Sequence, residues 1–201
     1  MVRFVVAAAL GVTALTGDGG GDQWLRLSGA ARASTLVQLS VEELCDRATL
    51  VVAATPQESV VVWEDRGTGR SRRIVTYTRA RVDRVIDGAA PAVLWIRTLG
   101  GSIRDIGQHV DGEAVLAPGQ PGVFFLRAFA DGPHAVVGMA QGQYLLGRGA
   151  TGGAAPRLSR VAMLPRLVAP RAGGGSTMRI EGKTLDEASA LIRAARRAHA
   201  P

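Results

Sequence analysis

The chain has 201 residues, 47% of them hydrophobic, and a formal charge of +7. That is enough apolar material for one buried core and too little length for two full domains. The charge is uneven: residues 34 to 147 hold 11 Arg against 12 Asp and Glu, whereas residues 148 to 201 hold 10 basic against 3 acidic residues. A phosphate-binding surface needs a concentrated positive field, so the central region is not expected to bind nucleic acid specifically. Lys183 is the only lysine and asparagine is absent, a bias that reads as the stamp of a GC-rich genome and says little about ligand. Cys45 is the single cysteine, which excludes an intramolecular disulfide and a four-thiolate zinc site. Within "VEELCDRA" it is expected as a buried, inert thiol.

Residues 1 to 33 are expected to form an export signal. "MVR" supplies a positive charge, "FVVAAALGVTAL" an apolar run, and Ala31, Arg32 and Ala33 a small-x-small cleavage pattern that places the mature start at Ser34. The intervening "TGDGGGDQWLRLSGA" is longer than the usual polar segment, which leaves an earlier cleavage point as the alternative. The apolar run is too short to span a bilayer, so no transmembrane anchor is expected. The charged "EEL" before Cys45 does not suit lipid attachment.

Residues 34 to 147 read as a β-rich domain. After a short extended piece, Ser40 and Glu43 form a capping box that predicts a helix over residues 41 to 48. "LVVAATPQESVVVWED" follows as a strand run broken near Thr55 and Pro56, and "RGTGRSRR" turns the chain into "IVTYTRARVDRVIDG". There Ile74, Thr76, Thr78, Ala80 and Val82 alternate with Tyr77, Arg79, Arg81 and Asp83, the period of a strand with one buried and one wet face. In "AVLWIRTL" Leu94, Ile96 and Thr98 oppose Val93, Trp95 and Arg97 in the same way. "GVFFLRAFA" and "HAVVGMAQGQYLLG" complete five strand runs, joined by Asp-Gly, Gly-Gly and Pro-Gly punctuation. Five short strands in about 115 residues fit a small closed barrel, which removes exposed edges; a sandwich usually needs about seven.

Residues 148 to 183 are rich in Gly, Pro, Ala and Arg without a sustained period, as in a linker or an arm with "VAMLPRLV" laid on the barrel. Residues 184 to 201 are expected to be an amphipathic helix. Thr184 and Glu187 form a second capping box, and Leu185, Ala188, Leu191, Ile192 and Ala195 share one stripe. Arg193, Arg196 and Arg197 sit towards the C-terminal end, where the helix dipole favours cations.

The connection "LGGSIRDIGQHVDGE", residues 99 to 113, holds the richest concentration of reactive side chains. Gly100, Gly101 and Gly107 fit neither the Walker nor the dinucleotide-binding spacing. His109, Asp111 and Glu113 alternate, which on an extended chain aligns three metal donors; they are the residues of an alternative reading, a metal-dependent or hydrolytic enzyme. No G-x-S-x-G elbow surrounds Ser102, and no catalytic or cofactor-binding residue is assigned. A second alternative, weak binding of single-stranded nucleic acid, would use Arg72, Arg73, Tyr77, Arg79 and Arg81 as a stacking and charge platform.

The stretches "LSVEELCDRATLVVAATP", "IVTYTRARVDRVIDG", "IRTLGGSIRDIGQHVDGEAVLAPGQPGVFFLR" and "VVGMAQGQYLL" together resemble a group of uncharacterised exported bacterial proteins. The core of that group is similar to the oligonucleotide/oligosaccharide-binding (OB) barrel of tissue inhibitors of metalloproteinases and netrin-like modules. The resemblance implies a five-stranded OB-like barrel with a short N-terminal helix and a C-terminal helix, and export to the periplasm or outside the cell. It also implies that Gly100, Gly101, Gly107 and Gly112 serve as backbone devices before the fourth strand. The inhibitors' wedge uses a disulfide-held N-terminal cysteine; the expected mature end here is Ser34 and Cys45 has no second cysteine to pair with, so inhibition by that route is not expected. The functional expectation is a non-catalytic binding or envelope-associated module whose partner is a protein or a glycan, without a cofactor.

Overall fold

The computed structural model describes residues 36–65, 67, 72–130, 132–147, 155–161, 167–168 and 178–198. The expected export signal, Arg66 and Arg70 in the first hairpin loop, and much of the 148–183 arm lie outside the described residues. The fold is mainly β. Its strands, among the described residues, are β1 (Leu36–Val37), β2 (Leu50–Asp65), β3 (Arg72–Asp87), β4 (Val93–Leu99), β5 (Gly101–Ile103), β6 (Ile106–Gln108), β7 (Gly122–Ala128), β8 (His134–Val136), β9 (Gln143–Leu146), β10 (Leu158–Arg160) and β11 (Leu167–Val168). Helix α1 (Val41–Arg47) precedes β2 and helix α2 (Leu185–Ala198) ends the described chain.

Both helices start where the sequence places a capping box. Ser40 Oγ accepts from Glu43 N at 3.1 Å while Glu43 Oε2 accepts from Ser40 N at 2.8 Å. Thr184 Oγ1 accepts from Glu187 N at 3.3 Å while Glu187 Oε2 accepts from Thr184 N at 2.8 Å. Each pair satisfies backbone donors that have no partner inside the first turn.

Five strands close into a ring in the order β7–β2–β3–β4–β8 and back to β7. Neighbours are antiparallel except β4 and β8, which run parallel where Ile96 meets His134. The second edge of β7 is shared: Gly122–Phe124 pairs with β9, and Leu126–Ala128 with β8. β10 continues the sheet beyond β9, β5 and β6 form a small hairpin, and β1 pairs with β11 in parallel.

The apolar run at the start of β2 is buried on both faces, as continuous rather than alternating hydrophobicity predicts. Leu50, Val52 and Ala54 point into the ring with Ala80, Leu94, Ile96, Phe124, Leu126 and Val136. Val51 and Ala53 point outward with Val123, Phe125 and Tyr144, against Leu44 and Cys45 of α1 and Ala188 and Ile192 of α2. Two cores therefore share the backbone of β2 and β7. The arginines of α2 dock the helix: Arg193 Nε donates to Ile86 O at 3.0 Å, and Arg196 donates to Asp87 Oδ2 at 2.7 Å and to Cys45 O at 2.8 Å. Burial pushes the Cys45 thiol up to about 12, consistent with an inert packing residue.

Three expectations are corrected. β2 does not break at Thr55 and Pro56; it runs through all 16 residues. The Pro56 carbonyl accepts from Gly119 N at 2.8 Å on the side away from β3, so the missing proline N–H removes no bond to β3. Gln57 is the extra residue of a bulge between Pro56 and Glu58. Secondly, "HAVVGMAQGQYLLG" is two strands, β8 and β9, separated by a 3₁₀ turn over Met139–Gly142. Gly138 there has φ +67°, and a Cβ on it would stand 2.6 Å from Leu39 Cδ1. Thirdly, the 148–183 arm is partly structural: Leu158–Arg160 extends the sheet and Ile180 is fully buried in the helix-side core.

Candidate functional site

The helices cover the outward side of β2, β7 and β9, and the outward side of β3 and β4 presents polar and aromatic groups instead. Cross-strand register explains which ones. Glu58 faces Arg79, Val60 faces Tyr77 and Glu64 faces Arg73 across β2 and β3, while Tyr77 faces Arg97 and Arg79 faces Trp95 across β3 and β4. Directly opposed residues share a face, so these side chains form one outward platform. Val60 is 52% exposed and Trp95 40% exposed upon it.

Glu64 organises the platform. Its carboxylate accepts from Arg73 Nε at 2.7 Å, from Arg97 Nε at 2.9 Å and from the Tyr77 hydroxyl at 3.2 Å, and Arg97 Nη2 completes a bidentate pair. The Arg97 hydrogen bonds, and then those of Arg73, hold the Glu64 carboxyl down at about 2 against the opposing effect of burial. The Arg97 guanidinium also lies 5.5 Å from the centroid of the Phe129 ring. Arg97 thus links Phe129 to the Glu64 cluster beside Tyr77.

The basic residues predicted as a charge platform each face a carboxylate, although Glu64 is shared with Arg97. Arg72 pairs with Asp65 at 3.2 Å, Arg73 with Glu64, Arg79 with Glu58 at 3.2 Å, and Arg81 with Asp83 at 2.8 Å. Tyr77 spends its hydroxyl on Glu64. Glu64 and Asp65 are visible in the sequence beside the hairpin arginines and Asp83 beside Arg81, whereas the pairing of Glu58 with Arg79 comes only from the register of β2 and β3. Trp95, Arg97 and Phe129 escaped notice as site residues; the outward alternation of "AVLWIRTL" was the signal for the first two, and Phe129 had none.

The 99–116 connection lies over the inner face. Gly100 has φ +96° and Gly101 φ +132°, and a Cβ on Gly101 would stand 2.7 Å from both Thr76 Oγ1 and Val61 Cγ1. Only glycine permits that close crossing with that backbone. Gly112 has φ +81°, whereas Gly107 has ordinary backbone and room beside it, its nearest neighbour being Ser102 Oγ at 3.4 Å. Gln108 Oε1 accepts from Ile74 N at 2.8 Å and Gly100 N donates to Ile74 O at 2.8 Å, so the connection is hydrogen-bonded to the edge of β3.

His109, Asp111 and Glu113 do not assemble. His109 Nε2 lies 3.2 Å from Asp111 Oδ1, with both side chains more than half exposed. Glu113 turns the other way, accepting from Leu99 N at 3.1 Å on Oε2 and from Ala114 N at 3.0 Å on Oε1. Alternation would have aligned the three on a strand, but the turn at Asp111 and Gly112 rotates Glu113 away. No group of three or more His, Cys, Asp or Glu suited to a metal ion occurs among the described residues. Glu113 instead borders a cavity of about 240 Å³ together with the hydroxyls of Ser59, Thr76, Thr78 and Thr98. Burial raises its carboxyl above the ordinary range, although the two backbone N–H donors and Arg97 act the other way.

No protein-family model, no curated protein and no solved structure matches the chain. Among the described residues no helix is long and apolar enough to cross a membrane.

Proposed function

We propose that the protein is an exported, non-catalytic binding module with an OB-like barrel, and that its outward β3–β4 platform takes a neutral oligosaccharide. The ring supports the barrel reading. Its first strand pairs with its second and fourth, and its third runs parallel to its fifth, the order that closes a five-stranded Greek-key barrel of the OB kind. The resemblance to tissue-inhibitor and netrin-like barrels points the same way, and the export reading rests on residues 1 to 33.

The observation that carries the ligand class is the pairing of every described arginine on the platform with a carboxylate, Glu64 serving both Arg73 and Arg97, so that little positive charge is left beside the exposed aromatic rings. A polyanion needs unspent positive charge. A neutral sugar needs apolar ring faces and fixed, planar hydrogen-bonding groups, which Trp95, Tyr77, Phe129 and the Glu64–Arg97 pair provide. Enzymatic use of the 99–113 loop would require His109, Asp111 and Glu113 on one substrate, whereas His109 and Glu113 line the cavity and Asp111 does not.

The test is titration with cellohexaose, chitohexaose and maltohexaose, with heparin and a single-stranded oligothymidylate as polyanionic arms, read by tryptophan emission. At least one neutral hexasaccharide is expected to bind, with little dependence on salt and about tenfold weaker binding in Trp95→Ala. Binding of the polyanions alone, weakening steeply with salt, would replace this reading with the nucleic-acid one.

A further inference from the structure

The ring interior changes character along its length. Around Leu50, Val52, Leu94 and Ile96 it is apolar, but beneath the 99–116 connection it carries a row of hydroxyls. Ser59 Oγ and Thr78 Oγ1 stand 2.9 Å apart, and Thr76 Oγ1 donates to Gly100 O at 2.7 Å. Thr78 and Thr98 are buried. Valine would fill such positions on a packing surface with better strand propensity and no polar group to satisfy. Glu113 closes the row. Each of its oxygens takes one backbone N–H, which leaves further lone pairs on both. Among the described residues the cation that acts on it, Arg97, lies on the alternate face of β4 and is bound to Glu64, and His109, which also lines the cavity, is paired with Asp111. An ionised carboxylate in a partly dry site without its own counter-charge is costly, and a guest cation removes that cost. At about 240 Å³ the cavity falls below the ~300–1,000 Å³ of drug-sized pockets and suits a single sugar-sized molecule.

We propose that this cavity is a second binding site, separate from the outward platform, for a small ammonium-bearing polyol of the amino-sugar class. Glu113 receives the ammonium, and the Ser59, Thr76, Thr78 and Thr98 row receives hydroxyls, which both donate and accept as the row does. Selectivity follows from charge: acylating the amine keeps the ring and the hydroxyls and removes the cation.

The amides of Leu99 and Ala114, which Glu113 binds directly, report on this site and not on the platform. Full-length protein is titrated near neutral pH with glucosamine and with N-acetylglucosamine while those two amide resonances are followed. Glucosamine is expected to shift both and to bind at least about tenfold more tightly than its acetylated form. Glu113→Gln should weaken glucosamine binding about tenfold or more, and Thr78→Val, which keeps the volume of the side chain, about threefold to tenfold. Equal response to the two sugars, unmoved Leu99 and Ala114 amides up to about 20 mM glucosamine, or unaltered affinity in folded Glu113→Gln would each overturn the proposal. Should Glu113→Gln fail to fold, the contrast between the two sugars on the wild-type chain and the Thr78→Val result decide.

Discussion

Glu64 and Glu113 sit on opposite faces of the same ring and have been solved by opposite means. Glu64, on the outward platform, is surrounded by Arg73, Arg97 and Tyr77, and its carboxyl is held at about 2. Glu113, on the inner side, is held by two backbone N–H groups without a cation of its own among the described residues, and burial raises its carboxyl. The first arrangement is a finished structural cluster in which one carboxylate serves two guanidiniums. The second leaves a charge partly uncompensated beside open volume. Two glutamates, differently completed, separate an ion-paired wall from a cavity with an unmet electrostatic need.

The sharpest way to break the contrast is to lift the connection off the ring. Gly101→Val puts a branched side chain where Thr76 and Val61 already stand within 2.7 Å of a Cβ, at φ +132°. A loss on the order of 3 kcal/mol is expected in urea unfolding, with the Leu99 and Ala114 amides more exposed to hydrogen exchange. Arg97→Ala attacks the other side. It strips Glu64 of its bidentate partner and Phe129 of its cation, and should cost roughly 2–4 kcal/mol by the same measurement.

Replacing each glutamate by glutamine then compares them directly. Glu64→Gln should cost about 1.5–3 kcal/mol near neutral pH, the range for hydrogen bonds to charged groups. Because the folded Glu64 carboxyl is depressed, its stabilisation is fully present above about 4.5 and disappears as pH falls through about 2, so the gap between wild type and variant closes in that window. Glu113→Gln should change stability by under about 1 kcal/mol near neutral pH, since one lost hydrogen bond offsets a relieved charge burial. Its pH dependence has the opposite sign. A raised folded carboxyl binds its proton more tightly in the native state, so wild type gains on the variant as pH falls from neutral towards the ordinary carboxylate range. If both variants lost stability alike and with the same pH trend, the distinction between paired and unpaired carboxylates would be wrong. Arg81→Ala is the smallest effect, under about 0.5 kcal/mol, because its pair with Asp83 is solvent-screened, with Arg81 59% exposed.

Local patterns predicted the local structure well. The Ser40–Glu43 and Thr184–Glu187 boxes start the two helices at the expected residues, because capping involves partners only three positions apart. Alternation placed Ile74, Thr78, Ala80, Leu94, Ile96 and Thr98 inward, because side-chain direction in a strand depends on parity alone. Parity failed at His109, Asp111 and Glu113, where a turn interrupts the strand. It was silent about Glu64, whose partners come from 9 and 33 residues away.

From the chain by itself come the helix starts and the inward and outward faces of β3 and β4, since each depends on neighbours within a few residues; the need for glycine at Gly101 comes from Thr76 and Val61, far along the chain. Tertiary structure alone decided that β8 closes the ring against both β4 and β7, that Glu58 and Glu64 of β2 meet Arg79 of β3 and Arg97 of β4, and that Glu113 faces a hydroxyl row without a cation of its own among the described residues. Those outcomes depend on register between strands far apart in sequence. A shift of one residue in that register would exchange every inward side chain for an outward one.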